Sequence, residues 1–337
     1  MLAVDALNEI GFWLERSSAP SFKVAAFRTA AKIIAPLSED ELAERARSGR
    51  LTSMKGIGGR TAEVITQAVA GDVPDYLIGL RERNTEPLTT EGAGLLARLR
   101  GDLHAHSEWS DGSTTIEQML HGAELLGREY LALTDHSPNL TIANGLSVER
   151  LTEQLDVVTE INATGGPVRL LSGIEVDILE SGELDQTPEM LDRLDVVVAS
   201  VHSKLRSDRE TMTARMLGAI RTPRTNVLGH CTGRLVQGSR GTRPQSMFDA
   251  ETIFAACAEN DVAVEINSRP ERQDPPDDLM RLALEAGCLF SIDTDAHAPG
   301  QLDYLAYGAE RAERNGVPPE RVITTWPVER LLEWTRG

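Results

Sequence analysis

The sequence predicts a parallel α/β barrel of seven strand-helix units behind a small all-α segment. Seven apolar, β-rich runs lie beyond residue 99, ending near His104, His136, Glu175, His202, His230, Asn267 and Asp295, with helical stretches between them. Such alternation implies a parallel sheet. A metal-ligand residue type stands at nearly every strand end, and closed barrels carry their sites on that face. Residues 4–15, 22–34 and 39–48 instead space their apolar residues as helices do. A doubly wound open sheet is the alternative for the larger part. Its ligands would gather at one crevice rather than converge from so many strands.

The chain has 337 residues, enough for one large and one small domain. We place these at residues 1–80 and 99–337, with 81–98 as a linker. No apolar run approaches the roughly 20 residues of a membrane span, and charges from Asp5 onward leave no signal-peptide core. Cys231, Cys257 and Cys288 have no paired spacing, which fits a reducing, cytoplasmic setting. Net charge is −18. Residues 1–98 hold 12 Lys+Arg against 13 Asp+Glu, a balance of −1, which leaves −17 for residues 99–337. The larger part therefore cannot hold nucleic acid by bulk charge. Only four of the 34 basic residues are lysines, a skew with no functional weight of its own.

In the first segment, Pro20, Pro36 and Gly49 punctuate the helices. Residues 51–65 then read as helix, Gly56-Ile57-Gly58 hairpin, helix. Glycines there allow a tight turn and expose N–H groups at the second helix's start, a setting that suits a phosphate. Lys23, Arg28, Lys55 and Arg60 are the basic residues expected near such a phosphate, together with Gly56 and Gly58. The segment resembles the helix-hairpin-helix module, and more closely the N-terminal domain of family X DNA polymerases, through Phe22-Lys23-Val24-Ala25-Ala26-Phe27-Arg28 and the hairpin. Lyase-active relatives place a nucleophilic lysine where this chain has Val64, so the resemblance implies no lyase activity. No room exists for a polymerase palm and fingers.

The second segment is organised around Asp102-Leu103-His104-Ala105-His106-Ser107, with Ser110-Asp111-Gly112 behind it. Residues i and i+2 of a strand share a side, so both imidazoles can face one point, and the turn returns a carboxylate to them. Two histidines and an aspartate outline a transition-metal site. Six of the seven histidines end apolar segments or adjoin a carboxylate, which points to a multinuclear centre. His121 sits mid-helix and is expected to face solvent.

Those motifs, with Thr134-Asp135-His136-Ser137, Gly173-Ile174-Glu175, Val201-His202-Ser203, Gly229-His230-Cys231-Thr232-Gly233-Arg234, Glu265-Ile266-Asn267 and Thr294-Asp295-Ala296-His297, resemble the polymerase and histidinol phosphatase (PHP) family. The closest likeness is to the PHP domain of bacterial family X polymerases. The resemblance implies a distorted seven-stranded barrel holding up to three divalent metals. It assigns the first to His104, His106, Glu175 and Asp295, and the second to Asp111, His136 and His230. The third takes His202 and His297, with Glu175 bridging. Mixed imidazole and carboxylate ligands suit Zn, Mn or Fe. Cys231, where that family usually has proline, reads as a packing substitution.

Metals sharing an acidified water would drive in-line attack on phosphorus, with Asp295 or His297 as candidates to assist proton transfer. Lys204, Arg206, Arg209, Arg234, Arg269 and Arg272 follow ligand strands and are candidates to hold substrate phosphate, Arg234 foremost. The favoured function is hydrolysis of nucleic acid, as a 3′-to-5′ exonuclease or 3′-end-processing phosphoesterase in DNA repair with single-stranded DNA or 3′ ends as partner. A small-molecule phosphomonoesterase, such as a histidinol-phosphate phosphatase, is the alternative. A non-enzymatic DNA-binding scaffold fits nine potential ligands poorly, since structural sites are usually closed by four.

Overall fold

The computed structural model describes residues 1–238 and 241–337. They form two compact units, Met1–Pro87 and Leu88–Gly337.

The first unit contains α1 (Ala3–Arg16), α2 (Ser21–Ile34), α3 (Glu39–Arg47), α4 (Gly59–Val69) and α5 (Asp75–Arg83). Leu7, Ile10, Phe27, Ile34, Val64, Ile65 and Leu77 meet in its core. Ser38 caps α3 by accepting the Glu41 N–H, which satisfies one of the helix's orphan donors. The first helix of the hairpin motif is reduced to a 3-10 turn, Leu51–Ser53. Gly49, at φ +68°, ends the preceding element so late that too little chain remains for a full helix. Gly56 has φ +99°, and a Cβ there would lie 2.6 Å from the Ile33 side chain. Only glycine serves both conditions.

The second unit begins earlier than the sequence suggests. Within the expected linker, α5 already occupies part, and α6 (Ala93–Leu96) packs against the barrel unit. Leu95 and Leu99 are buried, each worth about 1.5–3 kcal/mol to that unit. A Cβ on Gly92 would meet the Glu310 backbone at 2.4 Å, and its N–H donates to Glu313 at 2.8 Å. The break between the units falls at Pro87 and Leu88.

From there strands and helices alternate: β1 (Gly101–Ala105), α7 (Ile116–Leu125), β2 (Tyr130–Leu133), α8 (Val148–Ala163), β3 (Arg169–Asp177), α9 (Pro188–Leu191), β4 (Val196–Ser200), α10 (Arg209–Ile220), β5 (Val227–Leu228), α11 (Ala250–Glu259), β6 (Ala263–Asn267), α12 (Asp277–Glu285), β7 (Phe290–Asp293), α13 (Leu305–Arg314) and α14 (Val328–Thr335). All pairings are parallel and the strand order is β1 to β7 without permutation. A single Ala105–Ala296 bridge closes the seam, with the His106 N–H donating to Ala296 O at 2.8 Å. The barrel is nearly closed. Along β4, Val196 and Val198 join a cluster with Leu103, Tyr130 and Leu171, whereas Val197 and Ala199 join one with Met212 and Met216 of α10. This is the two-sided burial that makes a parallel strand a continuous apolar run. Among the described residues, no helix is long and apolar enough to cross a membrane.

Candidate metal centre

The strands' carboxyl ends bring seven of the nine ligand candidates of the sequence into three overlapping groups: His104, His106 and Glu175; His106, Asp111, His136 and His297; and His136, Glu175 and His202. Asp295 and His230 adjoin them. His106 Nε2 lies 3.4 Å from Asp295 Oδ1, and His230 Nε2 lies 2.8 Å from Glu175 Oε1. His104 Nε2 is 3.3 Å from Glu175 Oε2, so the first expected set is together.

The other two sets exchange a member. Asp111 Oδ1 is 3.5 Å from His136 Nε2 and 3.3 Å from His297 Nε2. His230 stands instead beside His202, whose Nε2 is 3.1 Å from the same Glu175 Oε1. The reason is strand order. The exit of β5 lies next to that of β4, and the exit of β7 closes onto β1 and its Asp111 turn.

Do these residues fit a cation? Buried His104 Nε2, His106 Nε2, His202 Nε2 and Glu175 Oε2 have no hydrogen-bond partner. Unsatisfied buried polar atoms are costly, and divalent cations would satisfy them together. Burial, then repulsion by His297 and His136, lowers the His106 pKa to about 3, which leaves a neutral ring ready to ligate. Burial opposes a charge on His202, but Glu175 and Asp177 outweigh it and raise its pKa to about 9. Burial likewise opposes ionisation of Glu175, yet the surrounding rings hold its carboxyl well below the usual range. The centre is therefore a cluster of carboxylates, Glu175 at its middle with Asp111 and Asp295 beside it, ringed by imidazoles, and it fits multiple divalent metal ions.

Residues 102–269 match the PHP domain family, and residues 1–72 match a helix-hairpin-helix domain. The chain belongs to the PHP family. It is 34% identical over 228 residues to the DNA polymerase/3′-5′ exonuclease PolX of Bacillus subtilis, covering 68% of this chain and 39% of that protein. It thus spans about two fifths of that relative's length. It is 28% identical over 236 residues to a protein of Vibrio parahaemolyticus named a probable phosphatase, covering 66% of this chain and 88% of that one. It is also similar, at 17% identity and a TM-score of 0.47, to the histidinol phosphate phosphatase of Lactococcus lactis, over 65% of this chain and 95% of that one. Family and site together make the protein a metal-dependent hydrolase of phosphoester bonds.

Around the PHP centre stand carboxylates to which the sequence reading gave no role. Glu265 contacts His104 Nδ1 at 2.6 Å and accepts the His230 N–H at 2.5 Å. Asp177 lies 3.4 Å from His202 Nδ1. Asp135 accepts from Ser107 Oγ at 2.7 Å and Ser110 Oγ at 2.5 Å, tying the loop that carries Asp111 to the end of β2. Acidic side chains buried inside or just beyond apolar strands were the available signal, since such groups persist only with partners.

The basic residues divide sharply. Arg269 Nη1 is 2.9 Å from Asp295 O and 3.0 Å from His297 Nδ1, and buried Arg272 donates to Asp295 Oδ2 at 3.0 Å. Lys204 and Arg206 are exposed beyond β4, and Arg209 pairs with Asp249 at 3.2 Å. Arg234, the foremost phosphate candidate, donates instead to the Arg272 and Gln273 carbonyls, so its guanidinium is engaged in holding the 269–275 loop. Cys231 is buried in the core, where burial pushes its thiol well up. His121 is exposed.

In the helical unit, Lys23, Lys55 and Arg60 are exposed. Arg60 pairs with Glu63 at 2.7 Å. Gly58 and Gly59 have open space where a Cβ would stand, although the Gly58 N–H is already bonded to Thr61 Oγ1 at 3.0 Å. Arg28 departs from the expectation. It is buried and paired with Glu15 at 2.8 and 2.9 Å, because helical periodicity turns it inward beside Phe27.

Proposed function

We propose that the protein shortens or cleans DNA 3′ ends in the cytoplasm, as a 3′-to-5′ exonuclease or 3′-end-processing phosphoesterase in repair. One observation carries the reading: a multinuclear PHP centre shares its chain with a helix-hairpin-helix unit. Bound Zn, Mn or Fe would supply an acidified water and neutralise charge building on the phosphate. The remaining work falls to the chain. Glu175 and the ring nitrogens facing it hold the ions, Asp295 and His297 are placed to ligate and to pass a proton, and Arg272 keeps Asp295 ionised. Arg269, Lys204 and Arg206 receive the phosphate. Arg234 acts through the loop it holds. Lys23, Lys55, Gly56, Gly58 and Arg60 give the helical unit its contact with a single strand or end.

A small-molecule phosphomonoesterase is the second reading, favoured by relatives named as probable phosphatases and by the acidity of the barrel segment. Hydrolysis of 5′-labelled single-stranded DNA and of histidinol phosphate should be compared in Mn²⁺- and Zn²⁺-loaded protein, with His104→Ala as control. A ladder of shortened DNA that the variant does not produce supports the nuclease. Release of phosphate from the small ester alone overturns it.

A further inference from the structure

Arg215 of α10 is 2% exposed, and among the described residues no carboxylate pairs with it. A guanidinium is tolerated in such a place only when its donors are otherwise satisfied. Here they are spent on two loops. Nε donates to Ile178 O and Leu179 O, both at 2.9 Å, just beyond β3. Nη1 donates to Ser203 O at 2.8 Å and Nη2 to Ser203 Oγ at 3.2 Å, just beyond β4.

The next residue, Lys204, has φ +53°, a left-handed conformation uncommon for a side chain other than glycine. Its carbonyl accepts from Ser207 N at 2.9 Å and Ser207 Oγ at 2.8 Å, and the Leu205 carbonyl accepts from Ser246 Oγ at 3.0 Å. Three successive carbonyls are thus pinned while the Lys204 side chain itself stays exposed. Lys204 follows His202 by two residues, at most about 7 Å along the chain. It is also the only lysine in residues 88–337, where every other basic side chain is arginine. An ammonium differs from a guanidinium as a compact point charge with rotatable donors.

We propose that Arg215 is a positioning residue, fixing the loop beyond β4 so that Lys204 presents its ammonium to a substrate phosphate at the rim of the metal centre. This rests on the hydrolase reading but not on DNA as substrate. The test is a double-mutant cycle of Arg215→Met and Lys204→Ala in full-length, metal-loaded protein. It reads the Kd for inorganic phosphate, the KM and kcat on labelled oligonucleotide, and bound metal per chain. Each single variant should weaken phosphate binding and raise KM about tenfold, as befits one charged hydrogen bond. Metal content should hold, and the double variant should be no worse than Lys204→Ala alone. Additive losses, metal lost from Arg215→Met, or a fall in kcat at unchanged KM would each overturn the assignment. If Arg215→Met does not fold, Arg215→Lys, which keeps the charge but not the fork, takes its place in the cycle. Coupled phosphate binding in a protein that leaves DNA intact would uphold the Arg215–Lys204 pair while removing the nuclease reading.

Discussion

Glu265 grips His104 from behind. Its Oε1 lies 2.6 Å from His104 Nδ1, while Nε2 of the same ring faces Glu175 Oε2 at 3.3 Å. One carboxylate thereby sets which nitrogen is left to ligate, and its other oxygen holds the His230 backbone. Glu265→Gln should lower metal affinity roughly 10- to 100-fold, the usual cost of losing such an outer partner. Competition with a fluorescent zinc chelator measures it, and an unchanged affinity would show that the ring is held by packing alone.

The regrouped ligands make a stoichiometric prediction. Asp111 and His297 face each other at 3.3 Å, in a ligand group that contains neither His202 nor His230. Asp111→Asn and His297→Ala should each remove the same single metal ion and leave the others bound. Elemental analysis of the two variants and their double would read one ion lost in all three. Two ions lost in the double would restore the pairing suggested by the family resemblance.

Chelation should destabilise the barrel unit. Removing an ion buffered at a hundred times its Kd costs about 2.7 kcal/mol per site, and each kcal/mol shifts the melting point of a unit this size by about 2–4 °C. Calorimetry with and without EDTA should show the fall in the barrel transition. Identical scans would mean that the ring cluster is stable without cations.

Arg28 and Lys55 should separate stability from binding. Arg28→Met leaves Glu15 buried without its guanidinium and should cost about 3–5 kcal/mol. Lys55→Ala should leave the melting point alone and reduce the salt dependence of single-strand binding by about one phosphate contact. Anisotropy titrations at several salt concentrations, beside thermal melts, distinguish the two.

The Glu9–Arg81 pair gives the helical unit an acid sensitivity. Burial opposes ionisation of Glu9, but its hydrogen bonds to Arg81 prevail and its carboxyl is lowered. The stabilisation is present above the unfolded-state pKa, and it is lost as pH falls through the lowered folded value. Being half exposed, the pair is worth only about 0.2–1 kcal/mol. Urea melts of wild type and Arg81→Gln should differ at pH 6 and converge towards pH 3. A constant difference would place the effect in packing.

How much of this was legible? Strand ends were, because a ligand type interrupts nearly every apolar run and the run fixes the strand. The His104, His106, Glu175 and Asp295 set was legible for the same reason. The exchange of His230 and His297 was not, since it depends on which strand exits are neighbours once β7 meets β1. Arg28 looked available because a helix repeat does not say which of its faces meets a neighbouring helix. Arg234 looked like a clamp because a loop cation in sequence carries no sign of the carbonyls it will hold. Leu95 and Leu99 were hidden inside a polar stretch that resembles a tether.

The Ala105–Ala296 bridge has a consequence for synthesis. Ribosomes release a chain from its N-terminus, and units tend to fold as they emerge. The helical unit can therefore be complete while the barrel is still an open, curling sheet. Its first pair of imidazoles must wait for almost two hundred further residues before His297 arrives. A stalled or truncated translation product would carry a finished helix-hairpin-helix unit and no complete metal centre, so hydrolysis before synthesis reaches His297 is excluded by the order in which the polypeptide is made.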